Sequence, residues 1–207
     1  MRSLRGSLTA VLAIAAPALA QVHYDIGRNG ENKINISWES RATVETIIGR
    51  TVQAEGLVKW EASDLSKSSI SISVPVASFK TGIDLRDEHL RSSQWMDAAG
   101  YPEIRFQTTD IKPVEGKTDT YALTGTFTCH GVDKTRTLEA VIRLMPAQKG
   151  LEQYGYLGDI AHLQARFEVP LADHNIKIPA NLAGVKVAPT VTCTVDIFAF
   201  TNNKPNR

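Results

Sequence analysis

Two cysteines, three tryptophans and an aromatic share of 7% are small holdings for a chain of 207 residues. Two cysteines are too few to frame a disulfide-stapled mini-protein. Neither sign of charge dominates, since 23 basic residues face 22 acidic ones, and that balance leaves no electrostatic footprint for nucleic acid. Low-complexity tracts and internal repeats are absent, and 43% hydrophobic residues make the chain too apolar for disorder. There is no Gly-x-Ser-x-Gly elbow, no glycine-rich phosphate loop closing on Lys-Ser or Lys-Thr, and no His-Glu-x-x-His. The usual marks of serine hydrolases, nucleotide-binding enzymes and zinc proteases are therefore missing. The length suits one large domain.

Long apolar runs are missing too, except at the start. Arg2 and Arg5 precede an uncharged stretch over residues 7–19, and Ala18-Leu19-Ala20 stands before Gln21. This is the layout of a cleaved secretory signal, and the run is shorter than the ~20 residues that cross a bilayer. No cysteine follows the cleavage point, which argues against a lipid anchor. The expectation is a signal peptide over residues 1–20 and a single exported domain over 21–207, with the periplasm as destination. Removing the first twenty residues takes away two arginines and no acid, leaving 21 basic and 22 acidic residues. An oxidising compartment permits a bridge between Cys129 and Cys193; two buried free thiols are the alternative.

What is present is a period of two. Ile34, Ile36 and Trp38 alternate with Asn35 and Ser37; Ile70, Ile72, Val74 and Val76 alternate with Ser71, Ser73 and Pro75. The same rhythm runs through Leu138–Leu144, Phe167–Leu171 and Val191–Ile197. Successive side chains of a strand point to opposite faces, so this pattern predicts antiparallel strands with one wet face. Asn29-Gly30, Glu115-Gly116-Lys117, His130-Gly131 and Lys149-Gly150 supply turn residues between them. Eight or more strands with no dividing linker predict an all-β domain, its sheet closed into a barrel that hides its edges.

One segment breaks the rhythm. Asp84 to Gly100 reads as a helix, with Asp84 as N-cap and Leu85, His89, Ser92 and Met96 on one face. A lone helix between barrel strands commonly acts as a lid or plug.

Candidate chemistry is thin. The five histidines are scattered, and no two have a metal-ligand spacing, so no metal site is expected. Asp173-His174 and Asp159 with His162 read as loop polar groups meeting water, because no nucleophile accompanies them. Arg86, Asp87 and His89 form the densest polar cluster. They supply either head-group donors or a cap and an Arg–Asp lock on the loop. The inward faces hold medium-sized aliphatics and few aromatics, a composition that leaves room for an elongated apolar cavity. Candidate contacts for an apolar chain are Trp38, Trp60, Ile72, Val74, Phe106, Phe127 and Ile142, with Arg86 and His89 at the mouth.

Three stretches then match a known family. Ser78-Phe79-Lys80-Thr81-Gly82, Arg86-Asp87-Glu88-His89-Leu90 and Tyr101-Pro102-Glu103-Ile104-Arg105-Phe106 resemble the central signature of YceI-like proteins. Leu123-Thr124-Gly125-Thr126-Phe127-Thr128 with Gly131-Val132-Asp133-Lys134 resembles their second signature, and Gly49 and Gly56 fit the upstream strand pair. The resemblance implies a periplasmic, lipocalin-like antiparallel barrel of about eight strands, with one short helix near its mouth and a long isoprenoid or similar lipid in its lumen. A family stretch of the form Arg-x-Asp-Phe-Gly stands here as Leu171-Ala172-Asp173-His174-Asn175. The expected function is non-catalytic sequestration or carriage of an apolar lipid or isoprenoid quinone-like ligand, without a cofactor. Transient membrane contact and a homodimer are compatible with it. Two rivals stand beside it: a lipid- or quinone-modifying enzyme using Asp87 and His89, and a filled barrel serving a membrane electron-transfer partner.

Overall fold

Ten strands form one antiparallel sheet in the computed structural model, which describes residues 21–27, 33–156 and 158–201. They are β1 (Val22–Ile26), β2 (Ile34–Arg41), β3 (Thr46–Thr51), β4 (Glu55–Trp60), β5 (Ser69–Pro75), β6 (Glu103–Pro113), β7 (Thr120–Cys129), β8 (Val132–Met145), β9 (Ile160–Pro170) and β10 (Thr190–Thr201). Among the described residues one α-helix, α1, spans Asp84–Arg91. The expected signal segment and the Asn29-Gly30 turn lie outside the described residues.

From β4 to β10 each strand pairs with the next in sequence, and β1 closes the ring by pairing with both β4 and β10. The stretch of β10 from Thr192 to Ile197 pairs instead with β2, which carries β3. Thus β1 and β2 share one position in the wall, β3 and β4 share the next, and the barrel is closed and eight-stranded as expected. Closure is complete only at one end. Towards the other, β3 meets the chain leaving β5 through a single bridge, Arg50 with Lys80.

The two ends differ in their connections. The lower end holds β1 and the link between β4 and β5, whereas β3 gives way to β4 at mid-height. The upper end holds the tight β7–β8 hairpin and two long excursions, over residues 76–102 and 171–189. In that hairpin Cys129 pairs with Val132, leaving a two-residue loop in which His130 and Gly131 have φ 49° and 71°. Both positive angles suit the turn type that matches strand twist, so the dipeptide read as a turn is one. Gly116 and Gly150 also take positive φ, as their turns require.

The alternation sorts side chains as expected. Tyr24, Val58, Trp60, Ile142, Ala161, Ile197 and Ala199 point inward and pack the lower half; Val58, Ile197 and Ala199 are wholly buried. The Trp60 and Tyr121 rings meet edge to face, 5.0 Å between centroids. A bulge at Thr108–Asp110 bends β6 where its pairing with β5 runs out, and the Thr108 hydroxyl accepts the Ile70 N–H at 2.8 Å.

The helix is shorter than the expected span of Asp84 to Gly100. It ends after eight residues, and residues 92–100 continue as turns. Ser92 halts it: its hydroxyl donates to the His89 carbonyl at 2.7 Å, and its own carbonyl accepts from Trp95 and Asp97. Serine competes in this way with helical pairing. Asp84 is not the cap either; Ile83 occupies that place without a side-chain bond.

Candidate ligand-binding site

A cavity of about 600 Å³ fills the upper half of the barrel. That volume lies within the roughly 300–1,000 Å³ of small-molecule sites. Ile36, Trp38, Ile72, Val74, Phe106 and Val195 line its walls, all from inward positions of their strands. The roof comes from the two long excursions. Leu85, Leu90, Trp95 and Met96 descend from one, and Leu171, Ile176, Leu182 and Val187 from the other. Phe127, Cys129, Val169, Leu171 and Ile176 form a small cluster of their own on that side, separate from the core below.

Polar bonds hold the roof to the wall. Asp87 is buried, and its Oδ1 accepts the Thr81 N–H and hydroxyl at 2.7 Å each, with Lys80 Nζ 3.7 Å from Oδ2. Burial works to raise the Asp87 pKa, but the Thr81 bonds and the charges of Lys80 and Arg91 outweigh it and hold the carboxyl below its usual range. Arg86 reaches across to Glu45, in the β2–β3 turn, at 2.7 Å. Thr43 and Val44 donate backbone N–H bonds to Gly184 and Val185, and Ala188 donates to the Ser40 hydroxyl at 2.9 Å. The lock on the helix is therefore real but differs from the Arg–Asp pair expected: Asp87 takes Thr81 and Lys80, while Arg86 takes Glu45. Nothing about a ligand follows from these bonds alone.

Of the nine residues singled out by sequence, seven come together on the cavity: Trp38, Ile72, Val74, Arg86, His89, Phe106 and Phe127. Trp60 and Ile142 do not line it. Both face inward, but β4 ends and β8 runs on at the lower end, where close packing leaves no room. The inward period is the same along a whole strand; it marks which face is buried and carries no information on height in the barrel.

The remaining candidates disperse. His162 alternates with the cavity-lining Leu163, so it faces outward, where Nε2 meets Asp196 at 2.7 Å and the ring stacks on Phe198 at 4.0 Å. Asp159 is occupied elsewhere, accepting from the Ala147 N–H. His174 is no solvated loop residue: it is fully buried, with its ring edge-on to Phe127 at 5.3 Å and Nδ1 against the Val132 carbonyl. Burial lowers its pKa, and hydrogen bonding to the Val132 and Cys129 carbonyls opposes this only in part. Asn175 follows at φ 58°, a left-handed position that glycine or asparagine fills readily. Cys129 and Cys193 are free thiols on the cavity wall, both pushed up to about 12 by burial. Among the described residues no group of three or more His, Cys, Asp and Glu side chains is placed to hold a metal ion.

Sequence reasoning missed most of the roof. Met96 falls on the expected helical face, but Trp95, Leu171, Ile176, Leu182 and Val187 sit in irregular chain, where no period marks them. The one available signal was their being apolar in segments otherwise rich in turn residues.

A family model described as the YceI-like domain matches residues 28–199. The protein YceI of Escherichia coli is 26% identical over 186 residues, covering 90% of this chain and 93% of that one. A UPF0312 protein of Pseudomonas putida is 29% identical over 174 residues, with 84% and 85% covered. Among solved structures, BcnA of Burkholderia cenocepacia superposes with a TM-score of 0.68 at 21% identity, over 82% of this chain and 98% of that one. A polyisoprenoid binding domain from Saccharophagus degradans, implicated in plant cell wall breakdown, superposes with a TM-score of 0.62 at 15% identity, over 88% and 99%. At such identities the superpositions establish a shared fold.

Proposed function

The chain belongs to the YceI-like family, and from that premise we propose that it is a binding protein for an isoprenoid or similar long-chain lipid. The tail lies in the upper cavity, and the head group stays near Arg86 and His89 at its rim. The observation that carries this reading is the vacant apolar volume of about 600 Å³ between a packed floor and a roof of separate segments. The naming of a structural neighbour as polyisoprenoid binding points the same way. Burying one methylene contributes about 0.8 kcal/mol, so ten give roughly 8 kcal/mol before several kcal/mol of ordering costs. Such binding needs no cofactor and no bond-making step. Asp87, the acid in the rival enzymatic reading, is already engaged by Thr81 and Lys80, which supports a positional role for it. Export by a signal over residues 1–20 to the periplasm belongs to the same proposal. So does transient membrane contact, which the exposed apolar side chains of Val44, Ile83, Leu85 and Val185 at the upper end support.

Native mass spectrometry of protein purified from its own host, followed by organic extraction, tests the proposal. A co-purifying apolar lipid is expected. The double variant Ile72→Asp/Phe106→Asp should lose it, while Glu139→Gln, on the outer wall, should keep it. Equal retention by both would reject the assignment.

A further inference from the structure

Trp38 is the largest side chain in the wall of the cavity, and its indole lies against a residue that has no side chain. Trp38 and Gly49 are directly paired across β2 and β3. Both belong to the inward face, for Ile36 and Trp38 line the cavity and Gly49 is buried. A Cβ built on Gly49 would stand 2.3 Å from Cε2 of the indole, 2.4 Å from Nε1 and 2.5 Å from Cζ2. No real contact is that short, so the ring occupies the place a side chain at 49 would take. The ring is recessed into the wall.

Position 49 differs from two other glycines of the sheet. At Gly56 and Gly125 an added Cβ would strike backbone, the Ser71 and Gln107 carbonyls, so those glycines serve strand-to-strand approach. At Gly49 the three nearest atoms all belong to the ring. Gly49 takes no left-handed backbone angle, so alanine there fits the strand itself. What alanine cannot do is leave the indole where it is. Behind the ring is the β2–β3 wall and in front of it is the cavity, so the displaced ring must move inward.

We propose that Gly49 and Trp38 together set the width of the cavity and so the bulk or length of chain it admits. This deepens the lipid-binding proposal and rests on it. Gly49 is a positioning residue: it touches no ligand and acts through the ring of Trp38. A gauge of this kind has two sides, since enlarging position 49 narrows the lumen and trimming position 38 widens it.

The test uses the mature protein stripped of lipid and offered an equimolar mixture of farnesol, geranylgeraniol and solanesol, with the bound alcohols resolved by native mass spectrometry. Overpacking of this order shifts an equilibrium by about tenfold or more. Gly49→Ala should thus cut the share of the longest alcohol the wild type accepts by about tenfold and favour shorter ones. Trp38→Leu should shift the distribution the other way. The double variant Gly49→Ala/Trp38→Leu should return towards the wild-type distribution, a rescue that a purely structural role for Gly49 would not give. If Gly49→Ala does not fold, the Trp38→Leu shift decides alone. Wild-type protein that takes up none of the three alcohols would overturn the lipid-binding proposal itself. Wild-type uptake with an unchanged distribution in Trp38→Leu, or with no rescue in the double variant, would overturn the gauge and leave lipid binding standing.

Discussion

The lower and upper halves of this barrel are built from the same strands and differ in almost everything else. Below, β1 completes the ring, and Val58, Trp60, Ile142, Ala161, Ile197 and Ala199 meet in a dense floor. Above, β3 has only the Arg50–Lys80 bridge on its free side, and a cavity of about 600 Å³ separates the walls. The upper end is then covered by irregular chain tied down with side-chain bonds. Stability and vacancy have thus been given to opposite ends of one sheet. An interior of this kind can hold an open volume because its other half is a continuous core of buried side chains.

The largest expected effect is the difference between removing apolar atoms below and above. Ile142→Ala takes a wholly enclosed side chain out of the floor and should destabilise by about 3 kcal/mol. Ile72→Ala removes the same atoms from a wall that already faces open volume, so few contacts vanish, and about 1 kcal/mol or less should be lost. Urea unfolding of lipid-free protein, read as a shift in midpoint at constant slope, measures both. Equal losses would mean that the upper half is collapsed in solution and would break the comparison. Adding lipid should sharpen it, since filled volume gives Ile72 the neighbours it lacks.

A smaller effect concerns the roof alone. Asp87→Asn weakens the bonds from Thr81 and removes the charge that faces Lys80, a change worth about 1–2 kcal/mol. The loss should be local. Hydrogen exchange is expected to speed up in α1 and the residues after it, while the amides of β8 and β10 in the floor keep their protection. The pH dependence has a fixed sign. The folded Asp87 carboxyl titrates below its usual value of 3.8, so its contribution is complete above that value and is lost as pH falls through the lower, folded one. Acid should therefore loosen the roof of the wild type, and Asp87→Asn should be loose already. Uniform loss of protection across floor and roof would show that the two halves unfold as one unit.

The same division decides what could be read from the chain. Strands with an unbroken period of two, such as β5 and β10, were legible because burial on one face writes itself into every second residue. The His130-Gly131 turn was legible because its backbone angles restrict its residues. Height along the barrel was not, since the same inward period groups Trp60 and Ile142 with Trp38 and Phe106. The roof was not legible either, since Ile176, Leu182 and Val187 obey no period and α1 stops at a serine whose hydroxyl turns back on the helix. His174 shows the limit most clearly. Beside Asp173 it reads as a solvated pair, whereas Phe127 packs against its ring and the Val132 carbonyl meets Nδ1 in the interior.

The smallest effect follows from that histidine. Burial lowers its pKa below 6.5, the Val132 and Cys129 carbonyls oppose the shift in part, and of the nearby charges Arg136 lowers it and Asp173 raises it. The unfolded chain therefore binds a proton at 174 that the folded chain refuses, and stability must fall as pH drops below about 6.5. One proton limits the slope to about 1.4 kcal/mol per pH unit, and the window closes at the folded value. His174→Phe keeps a ring against Phe127 and cannot titrate. Between about pH 7 and pH 5 the wild-type urea midpoint should fall relative to that of His174→Phe, whatever their difference at neutral pH. Because residue 174 belongs to the upper end, the same acidification should release the roof before the floor: protection of residues 171–176 should decline while that of β8 holds. Parallel midpoints for wild type and His174→Phe across that range would mean that the histidine is hydrated, and the upper end more open than its packing shows.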